Sequence, residues 1–283
     1  MQTVDFFPPV VDDPWFYGAI AAANSLSDVY AMGGRAVSAL SLAGFPQGFN
    51  EDWRDEILRG GTAKVTEAGA SLAGGHTVES EVQFGYSVTG LVDLERVAAN
   101  DRAHVGDRVY LTKPIGMGVM TTSAKKEKIS WADLRPAAEQ MATLNDRAAA
   151  AMVAAGAHAC TDVTGFGLAG HGRNVAKASG VTLEVELAKV PLFGDVETLA
   201  KKGYFSGGAG RGRKALADEV AFDDRLPEHL VSLAFDAETS GGLLIFIGPD
   251  DANRLEHELA ERDVPFTEIG RTTASSDVYV RLV

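Results

Sequence analysis

Asn24-Ser25-Leu26-Ser27-Asp28-Val29-Tyr30-Ala31-Met32-Gly33-Gly34 is the stretch that decides the fold. From Trp15 onward, apolar side chains recur near helical spacing at Phe16, Ile20, Ala23, Leu26 and Tyr30. The Gly33-Gly34 pair then stops the helix. Asn24 and Asp28 are four residues apart, so on that helix they share one face. The face is otherwise apolar, and a carboxylate there must be paired, hydrogen-bonded or metal-bound. An aspartate on the helix surface is the alternative reading.

Working outward, residues 36–45 read as a mostly apolar strand, 51–69 as a second helix and 83–93 as a strand carrying Tyr86, Val88 and Leu91. The order strand, helix, strand, helix, strand, strand describes an α+β or α/β module. The stretch from Leu94 to Asp107 is polar, and a domain boundary is expected near residue 98, which separates 1–98 from 99–283. Beyond it come a strand at Arg108–Thr112 and a turn at Pro114–Gly118. A long Ala-rich helix over 132–155 and a short strand at 158–162 follow. A helix at 167–179, a strand at Val181–Leu187, the most apolar strand at Gly241–Gly248, a helix at 250–262 and a strand at 265–270 complete the pattern.

The length, 283 residues, suits two domains. The single cysteine, Cys160, excludes an internal disulfide and a cysteine-based zinc site. No apolar run approaches the ~20 residues that cross a bilayer. The first residues, Met-Gln-Thr-Val-Asp, lack the charged and apolar regions of a signal peptide. A cytoplasmic protein without membrane contact is expected. The net charge of −13 opposes nucleic-acid binding. Residues 1–98 hold 13 acidic residues against 5 basic ones. A solubilising surface accounts for this. A carboxylate-rich site that holds divalent cations, and through them a polyphosphate, accounts for it too. Glycine is abundant at 31 residues, and most of its adjacent pairs lie where helical or strand patterns end.

Three further motifs could carry chemistry. Asp162-Val163-Thr164-Gly165-Phe166-Gly167 ends a short strand in an aspartate and a turn that opens a helix. Aspartates so placed ligate hard metals, and the turn amides can receive an anion; a turn or N-cap role for Asp162 is the alternative. Gly74-Gly75-His76-Thr77 would let a backbone approach a ligand, or would form a hairpin turn. Glu238-Thr239-Ser240-Gly241-Gly242 offers hydroxyls and amides to an anion, or is an ordinary loop. There is no P-loop, no kinase signature and no nucleophile elbow. Lys113, Arg211, Arg213 and Lys214 are scattered, so phosphate bridged by metal on aspartates suits the chain better than phosphate cradled by lysine.

Taken in order, these segments resemble the selenide, water dikinase (selenophosphate synthetase) family. The resemblance runs from Asp5-Phe6-Phe7-Pro8 through Asn24–Gly34, Gly74–Thr77 and Thr112-Lys113-Pro114-Ile115-Gly116 to Thr161–Leu168 and Thr239–Gly242. It covers essentially the whole chain. It implies the two-domain α+β fold of the aminoimidazole ribonucleotide synthetase group. In that fold an N-terminal α/β module pairs its sheet with that of a second subunit, giving a homodimer, and a larger α+β module follows. The implied reaction converts ATP, selenide and water to selenophosphate, AMP and phosphate, with Mg²⁺ held by aspartates. By motif matching, Asp28 is a magnesium and ATP ligand, Asp162 a magnesium ligand and Asp5 an ATP contact. Gly75, His76 and Thr77 form a nucleotide-contacting loop.

In one respect the chain departs from the family. A Gly-rich stretch precedes the equivalent of Asp5 in the family and carries the catalytic cysteine or selenocysteine, a lysine and a further magnesium-binding aspartate. Here Asp5 is preceded by four residues. The resemblance thus places the catalytic residues upstream of Met1 and none within 1–283, and weak or absent turnover is expected of this chain alone. Cys160, in an expected buried strand, does not replace them. A related ATP-dependent kinase or ligase of a small metabolite, and a non-catalytic dimeric nucleotide-binding module, are the alternatives.

Overall fold

In the computed structural model, which describes residues 1–283, the chain opens with β1 (Gln2–Phe7), α1 (Pro14–Ala31), β2 (Arg35–Phe45), α2 (Glu51–Glu67), β3 (Ser71–Glu79) and β4 (Gln83–Leu91). This is the expected strand and helix order. The sheet runs β1-β4-β2-β3, with only β2 and β3 parallel. Helix α1 starts because Asp13 accepts the Phe16 N–H at 2.9 Å and Pro14 sits at the first helical position. It ends where Gly33 takes a φ of 75°. Both helices lie on one face of the sheet and cross backbone to backbone. A Cβ on Gly18 would stand 1.9 Å from the Ile57 carbonyl oxygen, and one on Gly60 would stand 2.0 Å from that of Trp15. Only glycine permits that approach.

The strand alternation sends Thr3, Asp5 and Phe7 toward α1 and leaves Val4 and Phe6 on the opposite face. Register places Leu40, Val78 and Leu91 on that opposite face too. All five are exposed. The first sheet therefore has one apolar face covered by helices and another open to solvent.

The remaining strands are β5 (Arg108–Leu111), β6 (Ala159–Asp162), β7 (Val181–Val185), β8 (Val220–Phe222), β9 (Leu243–Ile247), β10 (Thr267–Ala274) and β11 (Val280–Leu282). They form one sheet ordered β6-β9-β5-β10-β7-β11-β8. Its helices are α3 (Met117–Lys125), α4 (Trp131–Met141), α5 (Asp146–Ala155), α6 (Gly167–Ser179), α7 (Val196–Lys201), α8 (Gly207–Ala215), α9 (Glu228–Phe235) and α10 (Ala252–Ala260). The most apolar strand of the sequence, β9, is wholly buried between β6 and β5. No helix is long and apolar enough to cross a membrane.

Two expectations need correction. The Ala-rich segment 132–155 is two helices, broken at 142–145. The break frees the Thr143 carbonyl to accept Lys113 Nζ at 2.7 Å, and it turns the Asn145 amide onto Ser27 Oγ and the Gly241 carbonyl, both at 2.9 Å. Tertiary polar contacts outweigh local helix propensity there. Gly74-Gly75 is not a turn but the middle of β3, with Gly74 at a φ of 137° beside the β3 bulge at Ala73.

Candidate functional site

Three carboxylates from three elements lie near enough to one another, where the two sheets adjoin, for their charges to interact. Asp5 comes from β1, Asp28 from the last turn of α1, and Asp162 from the end of β6. Ser25 stitches the first two elements together. Its Oγ lies 3.0 Å from the Asp5 carbonyl and accepts the Tyr86 N–H of β4 at 3.2 Å. Asn24, on the same helix face as Asp28, donates to Asp5 Oδ2 at 3.2 Å. The Asn24 side-chain oxygen accepts the Ser240 N–H of the second domain at 3.0 Å. Thr3 donates a short hydrogen bond to Asp28 Oδ2. Asp162 is buried, and its Oδ2 has no hydrogen-bond partner.

No arginine or lysine pairs with these carboxylates. The buried Lys113 is aimed instead at two carbonyls, Thr143 at 2.7 Å and Ser240 at 3.0 Å. Burial first, then the charges of Asp28 and Asp162, push the Asp5 carboxyl up to about 7. Burial and Asp28 push Asp162 up to about 6, while Ser27 and Lys113 pull the other way. Burial brings the Lys113 ammonium down to about 7, with Asp162 opposing the shift. Buried carboxylates that repel one another, with an orphaned oxygen among them, form a donor set for a hard divalent cation.

Two N–H groups of the Glu238–Gly242 motif are taken up within the protein, that of Glu238 by the Thr164 carbonyl at 3.0 Å. The Ser240 N–H is taken by Asn24. A Cβ on Gly241 would lie 2.2 Å from the Val163 carbonyl oxygen, and one on Gly242 would lie 2.4 Å from the Lys113 nitrogen. The glycines serve close packing. Glu238 instead turns its own carboxyl inward, accepting the Gly116 and Met117 N–H groups at 2.7 and 2.9 Å at the start of α3. Burial nevertheless pushes its carboxyl up to about 8.

Gly75, His76 and Thr77 are not a loop and do not join the aspartates within one chain. They lie on exposed β3, and register sets Gly75 in line with Ser41, Tyr86 and Asp5. Three strand spacings of about 4.8 Å separate Gly75 from Asp5. His76 lies on the open face. Asn145 was missed by sequence reasoning. An asparagine between two Ala-rich runs, disfavoured inside helices and favoured at caps, was the available signal.

His171, on α6 behind the turn after Asp162, is buried, with Nε2 3.1 Å from Thr164 Oγ1. Burial brings its imidazole down to about 4. The unfolded chain binds more protons between about 4 and the ordinary value near ~6.5, so folding stability falls as pH drops through that window. His171→Gln should remove about 3 kcal/mol of that dependence, read as flatter urea midpoints between pH 6.5 and 4. Parallel curves for both proteins would refute it.

Comparison with known proteins defines the class first. The AIR synthase related protein N-terminal domain matches residues 1–92, and the corresponding C-terminal domain matches 104–283. The two-domain α+β fold is shared with thiamine-monophosphate kinase from Stenotrophomonas maltophilia, at a TM-score of 0.78 and 21% identity over 99% of this chain and 84% of that one. It is shared also with the hydrogenase maturation protein HypE in complex with ATP, at 0.72 and 18% over 96% and 76%.

Within that class the sequence is more specific. It is 44% identical to selenide, water dikinase of Caldanaerobacter subterraneus over 99% of this chain and 82% of the relative. Against selenide, water dikinase of Geobacter metallireducens it is 47% identical over 89% and 74%. The chain belongs to the selenide, water dikinase family, and it is a phosphotransferase.

Proposed function

We propose that this chain forms selenophosphate from ATP, selenide and water, with release of AMP and phosphate. The observation that carries the reading is the meeting of Asp5, Asp28 and Asp162 around an unpartnered buried carboxylate oxygen. Asp28 and Asp162 would hold Mg²⁺, and Asp5 would contact the ATP. Bound there, Mg²⁺ supplies charge neutralisation for the polyphosphate. The protein's own part is positioning. Asn24 spans from Asp5 to Ser240 and so ties the orientation of one domain's carboxylate to the other domain's loop. Asn145 and Lys113 hold the carbonyls of Gly241 and Ser240. Cys160 takes no part. It is fully buried, and burial keeps its thiol well above the ordinary range.

The open face of the first sheet would pair with that of a second subunit, giving a homodimer in which His76 and its neighbours approach the partner's nucleotide. One buried thiol and no disulfide suit the cytoplasm. The boundary between the domains falls near residue 98, in the stretch between the two sheets.

The test follows AMP and phosphate release from ATP with Mg²⁺ and selenide under anaerobic conditions. It uses this chain and the same chain carrying the upstream residues that the family resemblance implies. Selenide-dependent AMP formation is the expected result for the chain carrying the upstream residues, and little or none for this chain alone. ADP formation with another metabolite would replace the reading by a related kinase.

A further inference from the structure

Away from the aspartate cluster, His104, Asp107 and His158 each place one donor atom within 4.8 Å of the other two. We propose that they form a second metal site, for a first-row transition-metal dication of the cobalt and zinc type.

The carboxylate is fixed before any metal arrives. Asp107 is buried at the entry to β5, and its Oδ2 accepts the His104 N–H at 2.8 Å. Its own N–H donates to Thr272 Oγ1 of β10 at 2.9 Å. The other oxygen, Oδ1, stands 2.8 Å from His158 Nδ1. His158 is held in turn by its backbone N–H, which donates to the Phe246 carbonyl of β9 at 2.9 Å. Two ligands cis on an octahedron with bonds of about 2.05 Å lie about 2.9 Å apart, so the Asp107–His158 pair already has the spacing of neighbouring ligands. The His104 ring, with its centroid 4.3 Å from that of His158, is exposed and makes no hydrogen bond within the protein. Rotation of that ring brings a third ligand to the same point.

A turn-capping aspartate with one histidine hydrogen bond accounts for Asp107 and His158. It leaves unexplained a second, unbonded imidazole against the first. Two imidazoles and one carboxylate are the donor set of borderline transition metals, not of Mg²⁺. The two histidines line an open cavity of about 470 Å³ together with Glu95, Arg96, Arg102 and Arg254. That opening supplies an entry path. The arginines disfavour a bare dication and favour one whose free positions carry hydroxide or another anion. His158 precedes β6 and Asp162 ends it, so the two metal sites stand about 13 Å apart, at opposite ends of one strand.

The test titrates CoCl₂ into tag-free, chelator-stripped protein and follows visible absorption. One equivalent of Co²⁺ is expected to bind, displaced by Zn²⁺ and not by excess Mg²⁺. His104→Ala and His158→Gln should each weaken binding at least 10-fold, whereas Asp162→Asn should retain it. His104→Ala changes an exposed ring and decides the matter should His158→Gln fail to fold, which circular dichroism reports. Absence of Co²⁺ binding, or unchanged binding in His104→Ala, overturns the site. Loss of binding in Asp162→Asn alone overturns it too, since that assigns the cobalt to the aspartate cluster.

Discussion

Replacing Asp162 by asparagine is expected to raise the melting temperature in the presence of a chelator and to abolish the stabilisation that Mg²⁺ and ATP confer. The two effects have one cause. Asp162 is buried, one of its oxygens has no partner, and Asp28 faces it. Its carboxyl is raised to about 6, above the unfolded value near ~3.9, so the ionised form costs folding stability at pH 7. The size of the shift makes that cost about 3 kcal/mol. Asparagine keeps the shape and removes the charge, which in a chain of this size corresponds to several degrees in Tm. With Mg²⁺ and ATP the order should reverse, because ligand binding adds RT ln(1 + [L]/Kd) only where the site can hold the cation. In the chain carrying the upstream residues, the same substitution should lower selenophosphate formation by at least ~10²-fold. Differential scanning fluorimetry with and without Mg²⁺ and ATP reads the crossing. A lower Tm in chelator, or an undiminished ligand response, would remove Asp162 from the cation site.

The second large effect concerns assembly. If the proposed homodimer forms through the open sheet face, Leu40→Asp should yield a monomer of 29.8 kDa, measured by light scattering coupled to size exclusion. Leu40 sits on the open face of the first sheet, on the side that also carries Val4, Phe6, Val78 and Leu91. Such a face is an interaction surface, or else an aggregation risk. In a two-fold dimer each substitution occurs twice. Burying two unpaired carboxylates at about 2–3 kcal/mol each weakens association by roughly 10³–10⁴-fold. An unchanged mass in Leu40→Asp would place the interface elsewhere.

The comparison of sequence and structure divides along physical lines. Helix α1 was legible because its apolar spacing and its glycine stop agree. The buried strand β9 was legible because five consecutive apolar residues have few alternatives. Asp28 and Asp162 were picked out by local pattern and family resemblance, Asp5 by resemblance alone. The break between α4 and α5 was not legible, since alanine propensity continues across it and the contacts that open it come from Lys113, Ser27 and Gly241. Gly74-Gly75 misled because a glycine pair signals a turn, whereas here it lies within a strand beside a bulge. The Thr239–Gly242 motif misled differently: its glycines admit neighbouring backbone, not a ligand.

The sequence alone therefore determined the kinds of element, the acidic chemistry and the absence of a disulfide, because these rest on periodicity, charge and count. Only the tertiary structure decided that the three carboxylates share one partly dehydrated space, that no lysine neutralises them, and that His104, Asp107 and His158 meet. Those facts depend on which distant residues are brought within hydrogen-bonding reach, and desolvation there, rather than residue type, sets the charge each group can carry.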